Sequence, residues 1–279
     1  MFDRIVVADW SANGTPKSGP DSIWIACRDA DGRHLPVENP RTRARAVDLL
    51  VERLDVSGRV LLGADFCFGY PSGFATAAGL TGTAWAATWC HLHDALDDDD
   101  RNRNNRFDVA ADLNERLGAL HFWGAPPRRA GRWLTTTKPA WTPDHLPVHR
   151  RTERALHDDG HRPFSGWQLL GVGAVGSQSL TGIAALERLR RHPRLAHRVV
   201  VWPFETGLDV AVASDAIVVA EVWPSSVSFG HVDHPVKDAR QVIALADALA
   251  MGDASMFRPD VPVDAVEAVV TEEGWVLRP

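Results

Sequence analysis

Apolar positions along the chain follow two periods, and their order predicts a mixed α/β fold. Ile5-Val6-Val7-Ala8 is a short continuous apolar run, read as a buried strand that ends at Asp9. The stretch from Trp10 to Pro20 is rich in Ser, Asn, Gly and Pro and reads as a turn. Ser22 to Cys27 alternates as a second strand, and the turn Asp29-Ala30-Asp31-Gly32 predicts a third short strand after it. Between Pro40 and Leu54, apolar residues at Ala44, Val47, Leu50 and Leu54 have helical spacing. Val60-Leu61-Leu62-Gly63-Ala64 is a fourth buried strand and ends at Asp65.

The middle of the chain has a different pattern. From Pro71 to about Ala196 the signals are helical or irregular, so an insertion is expected over residues 71–196 of a single domain spanning 1–279. Asp97 to Arg106 is a charge run expected to be a solvated loop. Val109 to Leu117 reads as a helix, Pro126 to Val148 as a long irregular segment, and Ser177 to Arg191 as a helix. Strand patterns return at Arg198 to Trp202 and Ala216 to Trp223. A helix is expected over Lys237 to Ala250, a last one over Asp264 to Val270, and a terminal strand at Trp275-Val276-Leu277.

Composition narrows the class. With 279 residues, 45% hydrophobic and 24% charged, the chain is ordinary globular material and has no apolar run of the ~18 residues that span a bilayer. The three cysteines, Cys27, Cys67 and Cys90, form no CxxC pair. They are read as reduced thiols of a cytoplasmic protein, a placement also suggested by an N-terminus without a secretory signal pattern. The net charge of −6 argues against a protein that coats long nucleic acid by charge alone.

Candidate chemistry begins with Asp9 and Asp65. A carboxylate just past the end of a buried strand lies in the crevice where α/β sheets bind ligands. Two such carboxylates facing each other repel, and a divalent cation relieves the repulsion. Later acids that can complete the set are Glu205, Glu221, Asp238 and Asp247. Glu221 lies inside an apolar strand pattern, so it needs a cation or an arginine partner. Of Asp238 and Asp247, Asp238 is preferred, because helix starts lie nearer the strand ends.

Val7-Ala8-Asp9-Trp10-Ser11, Gly63-Ala64-Asp65-Phe66-Cys67-Phe68-Gly69-Tyr70-Pro71 and Ala220-Glu221-Val222-Trp223-Pro224 are similar to the DUF429 family of predicted nucleases with a ribonuclease H-like fold. The resemblance covers roughly the first 75 and last 85 residues. It implies an α/β fold of ribonuclease H-like type, with a mixed sheet, flanking helices and a largely helical insertion. It also implies a metal site for Mg²⁺ or Mn²⁺ built from Asp9, Asp65, Glu221 and Asp238.

Gly171-Val172-Gly173-Ala174-Val175-Gly176 spells GxGxxG before a helix but follows a poor strand, so it is a weak dinucleotide fingerprint. A glycine-rich helix start still offers N–H groups to an anion. Gly173, Gly176, Ser177 and Gln178 are therefore expected to face the metal site and hold an anionic part of the substrate. The turn from Asp9 to Lys17, with Ser11 in it, looks like the first phosphate loop of actin-like sugar kinases. Arg106, Lys138 and the other basic residues of the insertion, interleaved with tryptophans, are candidate phosphate grips.

The function expected from these residues is a metal-dependent phosphoester hydrolase, nuclease-like, acting on a phosphorylated small molecule or single-stranded nucleic acid away from membranes. The alternatives are an ATP-dependent phosphotransferase and a non-catalytic nucleotide- or cofactor-binding protein.

Overall fold

The computed structural model describes residues 1–279. Strand β1 (Arg4–Asp9) sits at the middle of the sheet. It pairs antiparallel with β2 (Trp24–Asp29) and parallel with β3 (Val60–Asp65). On its other side β3 runs parallel to β5 (Ile217–Val222). The far edge of β5 is shared by β4 (Val199–Val201) and β6 (Val276–Leu277), both parallel to it. The sheet is thus mixed, mostly parallel, in the order β2-β1-β3-β5-β4.

Successive strand residues point to opposite faces, and both faces of this sheet are covered. Val6, Ala8, Leu62 and Ala64 pack into one core with α1 (Arg43–Leu54), α3 (Ala84–Ala95) and α6 (Val175–Arg190). Ile5, Val7, Leu61 and Val218 pack into a second core with α7 (Lys237–Met251) and residues 263–273. Burial on both faces explains why these strands read as continuous apolar runs. Helix α1 starts at the N-cap Thr42, whose hydroxyl accepts from the Arg45 N–H.

Two expectations, the third strand and the solvated charge run, are corrected. The predicted third strand exists only as isolated pairings, Ile25 with Glu38 and Arg28 with His34. The register slips by one residue across Pro36, which has no N–H to give the ladder. The segment expected as an insertion packs onto the sheet. Its helices α2 (Phe74–Ala77), α3, α4 (Arg106–Leu117) and α6 share the first core with the sheet, while Ala155 of α5 (Arg151–Asp158) packs against the second. Helix α6 lies directly on the strands: Trp10 Nε1 donates to Thr181 Oγ1 at 3.2 Å, and a Cβ at Gly182 would stand 2.4 Å from the Phe66 ring.

The charge run Asp97 to Arg106 is anchored rather than simply solvated. Asp98 takes two hydrogen bonds from the buried Arg43 guanidinium, at 2.6 Å each, and Asn102 is buried beside it. The last helix, expected over Asp264 to Val270, is present as consecutive 3-10, α and π turns over 263–273, the π turn being Val269–Glu273. There the Glu272 carbonyl lies 2.0 Å from where a Cβ would sit on Gly69, so only glycine allows this approach.

Candidate metal and phosphate site

Asp9 and Asp65 are direct partners in the parallel register of β1 and β3, each the last residue of its strand. Neither carboxylate accepts a hydrogen bond from the protein, whereas most buried polar groups are paired. Burial, followed by the Glu221 charge, pushes Asp65 up to about 7. Asp9 is held well above the usual carboxylate range by burial first, then by Asp65, Asp238 and Asp21, with Lys237 opposing. Two abutting acids without donors, both resisting ionisation, have the electrostatics that a divalent cation resolves.

A third and fourth acid close on Asp9 from other elements. Asp238 lies in the first turn of α7, and its Oδ2 accepts from the Asp21 N–H at 2.7 Å. Asp21 itself has a left-handed backbone, φ 54°. The loop carrying Ser11 and Asn13 is held from beneath by Arg43, whose guanidinium donates to both their carbonyls at 3.0 and 2.9 Å. The two other candidate acids lie elsewhere. Asp247 faces β2 and pairs with Arg28 and His34. Glu205 accepts from the Val201 N–H and sits near Arg190, beyond the end of β4.

Glu221 does lie beside Asp65, one strand further on, and it has found its arginine. Arg150 Nη1 and Nη2 donate to its two oxygens at 2.8 and 2.5 Å, and the Phe68 N–H donates at 2.8 Å. The same guanidinium grips Glu153 and the Glu273 carbonyl. Cys67, Glu153 and Glu221 offer ligand atoms all within 4.8 Å of one another, a buried group that could hold a metal ion. Within it, however, Arg150 already supplies the positive charge, and burial pushes the Cys67 thiol far up. The Asp9–Asp65 pair has no such counter-charge.

The start of α6 closes the site. Gln178 Nε2 donates to the Trp10 carbonyl at 2.6 Å, and Ser177 Oγ donates to the Leu169 carbonyl while accepting from Arg106 Nε at 2.9 Å. The Ser177 N–H, in the first turn of α6, has no carbonyl partner outside the helix. Two clefts flank the acid pair. One, of about 420 Å³, is walled by Asp9, Ser11, Asn13, Arg106, Ser177 and Asp238. The other, of about 170 Å³, holds Asp65, Glu221, Phe164 and Trp223. Gly173 and Gln178 line both and mark where the clefts meet.

Of the expected phosphate-binding residues, Ser11, Gly173, Ser177, Gln178 and Arg106 are therefore brought to the site, and two are not. Gly176 lines neither cleft: its N–H is spent on the Gln168 carbonyl, and a Cβ there would stand 2.5 Å from the Gly166 carbonyl oxygen. It is a packing glycine. Lys138 also lines neither cleft and lies over the Trp141 ring instead, 5.6 Å from its centroid.

Four participants escaped the sequence reading. Asp21 looked like an ordinary turn residue, and Arg43 like an ordinary helical arginine. Arg150 and Glu153 looked like members of a basic loop. The need of Glu221 for a buried arginine was the only sequence signal pointing to Arg150. No helix of the protein is long and apolar enough to cross a membrane. No protein-family model matches the chain, nor does any curated protein or solved structure.

Proposed function

We propose that this protein is a divalent-metal-dependent phosphoester hydrolase with a ribonuclease H-like, DUF429-type arrangement. The single observation that carries this reading is the pair Asp9 and Asp65, register partners at adjacent strand ends that accept no hydrogen bond and form no salt bridge, with Lys237 the one cation acting on Asp9 from nearby. The strand order around β1, antiparallel to β2 and parallel to β3, supports the fold assignment.

The donor set is all carboxylate oxygen, which suits Mg²⁺ or Mn²⁺ rather than a soft metal. Asp9 and Asp65 would hold the ion, with Asp238 the next carboxylate acting on Asp9. When bound, the ion supplies an activated water and stabilisation of the leaving oxygen. The chain's own residues do the rest. Arg106, fixed by Ser177 and Asn104, offers a guanidinium to phosphoryl oxygens. The Ser177 N–H adds a donor at the positive end of a helix of 16 residues. Arg150 holds Glu221 next to Asp65 and neutralises it. Asp9 and Asp65 then remain the two acids without a partner.

The test is Mn²⁺-dependent cleavage of bis(4-nitrophenyl) phosphate and of 4-nitrophenyl phosphate. Turnover that requires the metal and vanishes in Asp9→Asn and Asp65→Asn is the expected result. Turnover retained in both variants, or conversion of ATP to ADP with an acceptor and no hydrolysis of either ester, would overturn it.

A further inference from the structure

The two clefts beside the acid pair differ in chemistry, and the difference bears on what the substrate carries. The larger one, next to Asp9, contains Arg106 and the polar groups of Ser11, Asn13 and Ser177. The smaller one, next to Asp65, is lined by no lysine, arginine or histidine. Its walls are Phe164, Trp223, Pro163, Leu156, Val175 and Val276, and its polar groups are acids, a thiol and Gln178. An anion would meet no free cation there, since Arg150 is already paired with Glu153 and Glu221. An uncharged apolar group would bury its surface instead.

The shape favours a flat ring. Phe164 is 51% exposed at the mouth of the small cleft, unusual for so large an apolar side chain. Trp223 presents a second aromatic surface and meets the His161 ring in an edge contact, centroids 5.3 Å apart. Gly173 makes room for the Phe164 ring: it has φ 72°, and a Cβ there would lie 2.3 Å from that ring. The volume, about 170 Å³, compares with the roughly 150 Å³ of a protein cavity that accepts benzene. The acids deeper in the cleft complement the positive edge of an aromatic ring.

We infer that the small cleft is an aromatic subsite, and that the substrate is an organic phosphoester bearing one flat, uncharged ring. The phosphoryl group lies on the Asp9–Arg106 side, and the ring lies between Phe164 and Trp223. This inference rests on the hydrolase reading for the orientation of the phosphoryl group.

The test compares phenylphosphonate with ethylphosphonate, two anions with the same head, by calorimetry in the presence of Mn²⁺. Neither is hydrolysed, so binding is read without turnover. The wild-type protein is expected to bind the phenyl compound about five- to a hundredfold more tightly, the range set by stacking on one aromatic side chain. Phe164→Ala and Phe164→Leu bring that ratio close to one and leave ethylphosphonate binding unchanged. Arg106→Met weakens both ligands alike. A wild-type ratio of one, a ratio unaltered in Phe164→Ala, or no binding of either compound at millimolar concentration would overturn the assignment. Mn²⁺ binding measured alone separates the two claims: binding that is lost in Asp65→Asn, together with a ratio of one, removes only the aromatic subsite. Absence of Mn²⁺ binding removes the hydrolase reading itself.

Discussion

Asp9 and Asp65 stand side by side at the ends of β1 and β3, joined as register partners and by nothing else. The parallel pairing brings them together because each closes its strand at the same level. A parallel ladder in register from Arg4–Val60 to Asp9–Asp65 places the acids abreast, and the folded chain must bear their repulsion.

That repulsion has a pH signature. Asp65 titrates near 7 in the folded protein and Asp9 also titrates well above the ordinary carboxylate range, so the native state binds protons more tightly than the unfolded chain does. Without metal, the contribution of the pair to stability is therefore most favourable below about pH 4 and is lost as pH rises toward 7. Urea titrations of the metal-free protein across this range should show stability falling by a few kcal/mol from this source, about 1.4 kcal/mol per pH unit for each group while the difference lasts. Asp65→Asn should flatten the profile and make the metal-free protein more stable at pH 8. An equally steep profile in the variant would show that other groups cause it.

Arg150 is predicted to be the most sensitive position outside the acid pair. It is fully buried between Glu153 and Glu221 and also bonds the Glu273 carbonyl. Arg150→Met leaves two buried carboxylates without their cation. Breaking a buried ion pair from one side costs about 3–5 kcal/mol. Chemical denaturation should show a loss of this size, and Glu221→Gln added to the variant should recover part of it. A loss below 1 kcal/mol, the scale of an exposed pair, would contradict the network described.

Gly176 tests the division between packing and binding at the start of α6. A Cβ would press on the carbonyl oxygens of Gly166 and Gln168, at 2.5 and 2.7 Å. Gly176→Ala should lower stability by about 1–3 kcal/mol, the scale of overpacking, while the folded fraction binds Mn²⁺ as the wild type does. Weakened binding with an unchanged thermal midpoint would return Gly176 to the site.

Much of the framework was legible because it follows from period and punctuation. The β1 and β3 runs each end on an aspartate, and the helical spacing of α1, α6 and α7 appears in the sequence with small shifts at the ends. Where reading failed, the cause was non-local. Pro36 breaks a ladder that only the register with β2 reveals. Arg43 looks like any helical arginine until Asp98, 55 residues on, meets it. Arg150 reaches Glu221 across 71 residues. Gly176 and Gly173 look alike in a glycine-rich stretch, yet one packs on a backbone and the other borders a cleft. In the site, the acids themselves could be named from their strand ends, but the charges that balance some of them and leave others unpaired could not.

The most direct measurement is Mn²⁺ titration by calorimetry of the wild-type protein, Asp9→Asn and Asp65→Asn at pH 8, with thermal midpoints recorded on the same samples. Wild type should bind Mn²⁺, and a hundredfold excess over the dissociation constant should stabilise it by about 2.7 kcal/mol. Each Asn variant should stay folded, gain stability without metal and lose that binding. Wild-type affinity in either variant, or no binding to the wild type at millimolar Mn²⁺, would contradict the claim that Asp9 and Asp65 share a cation.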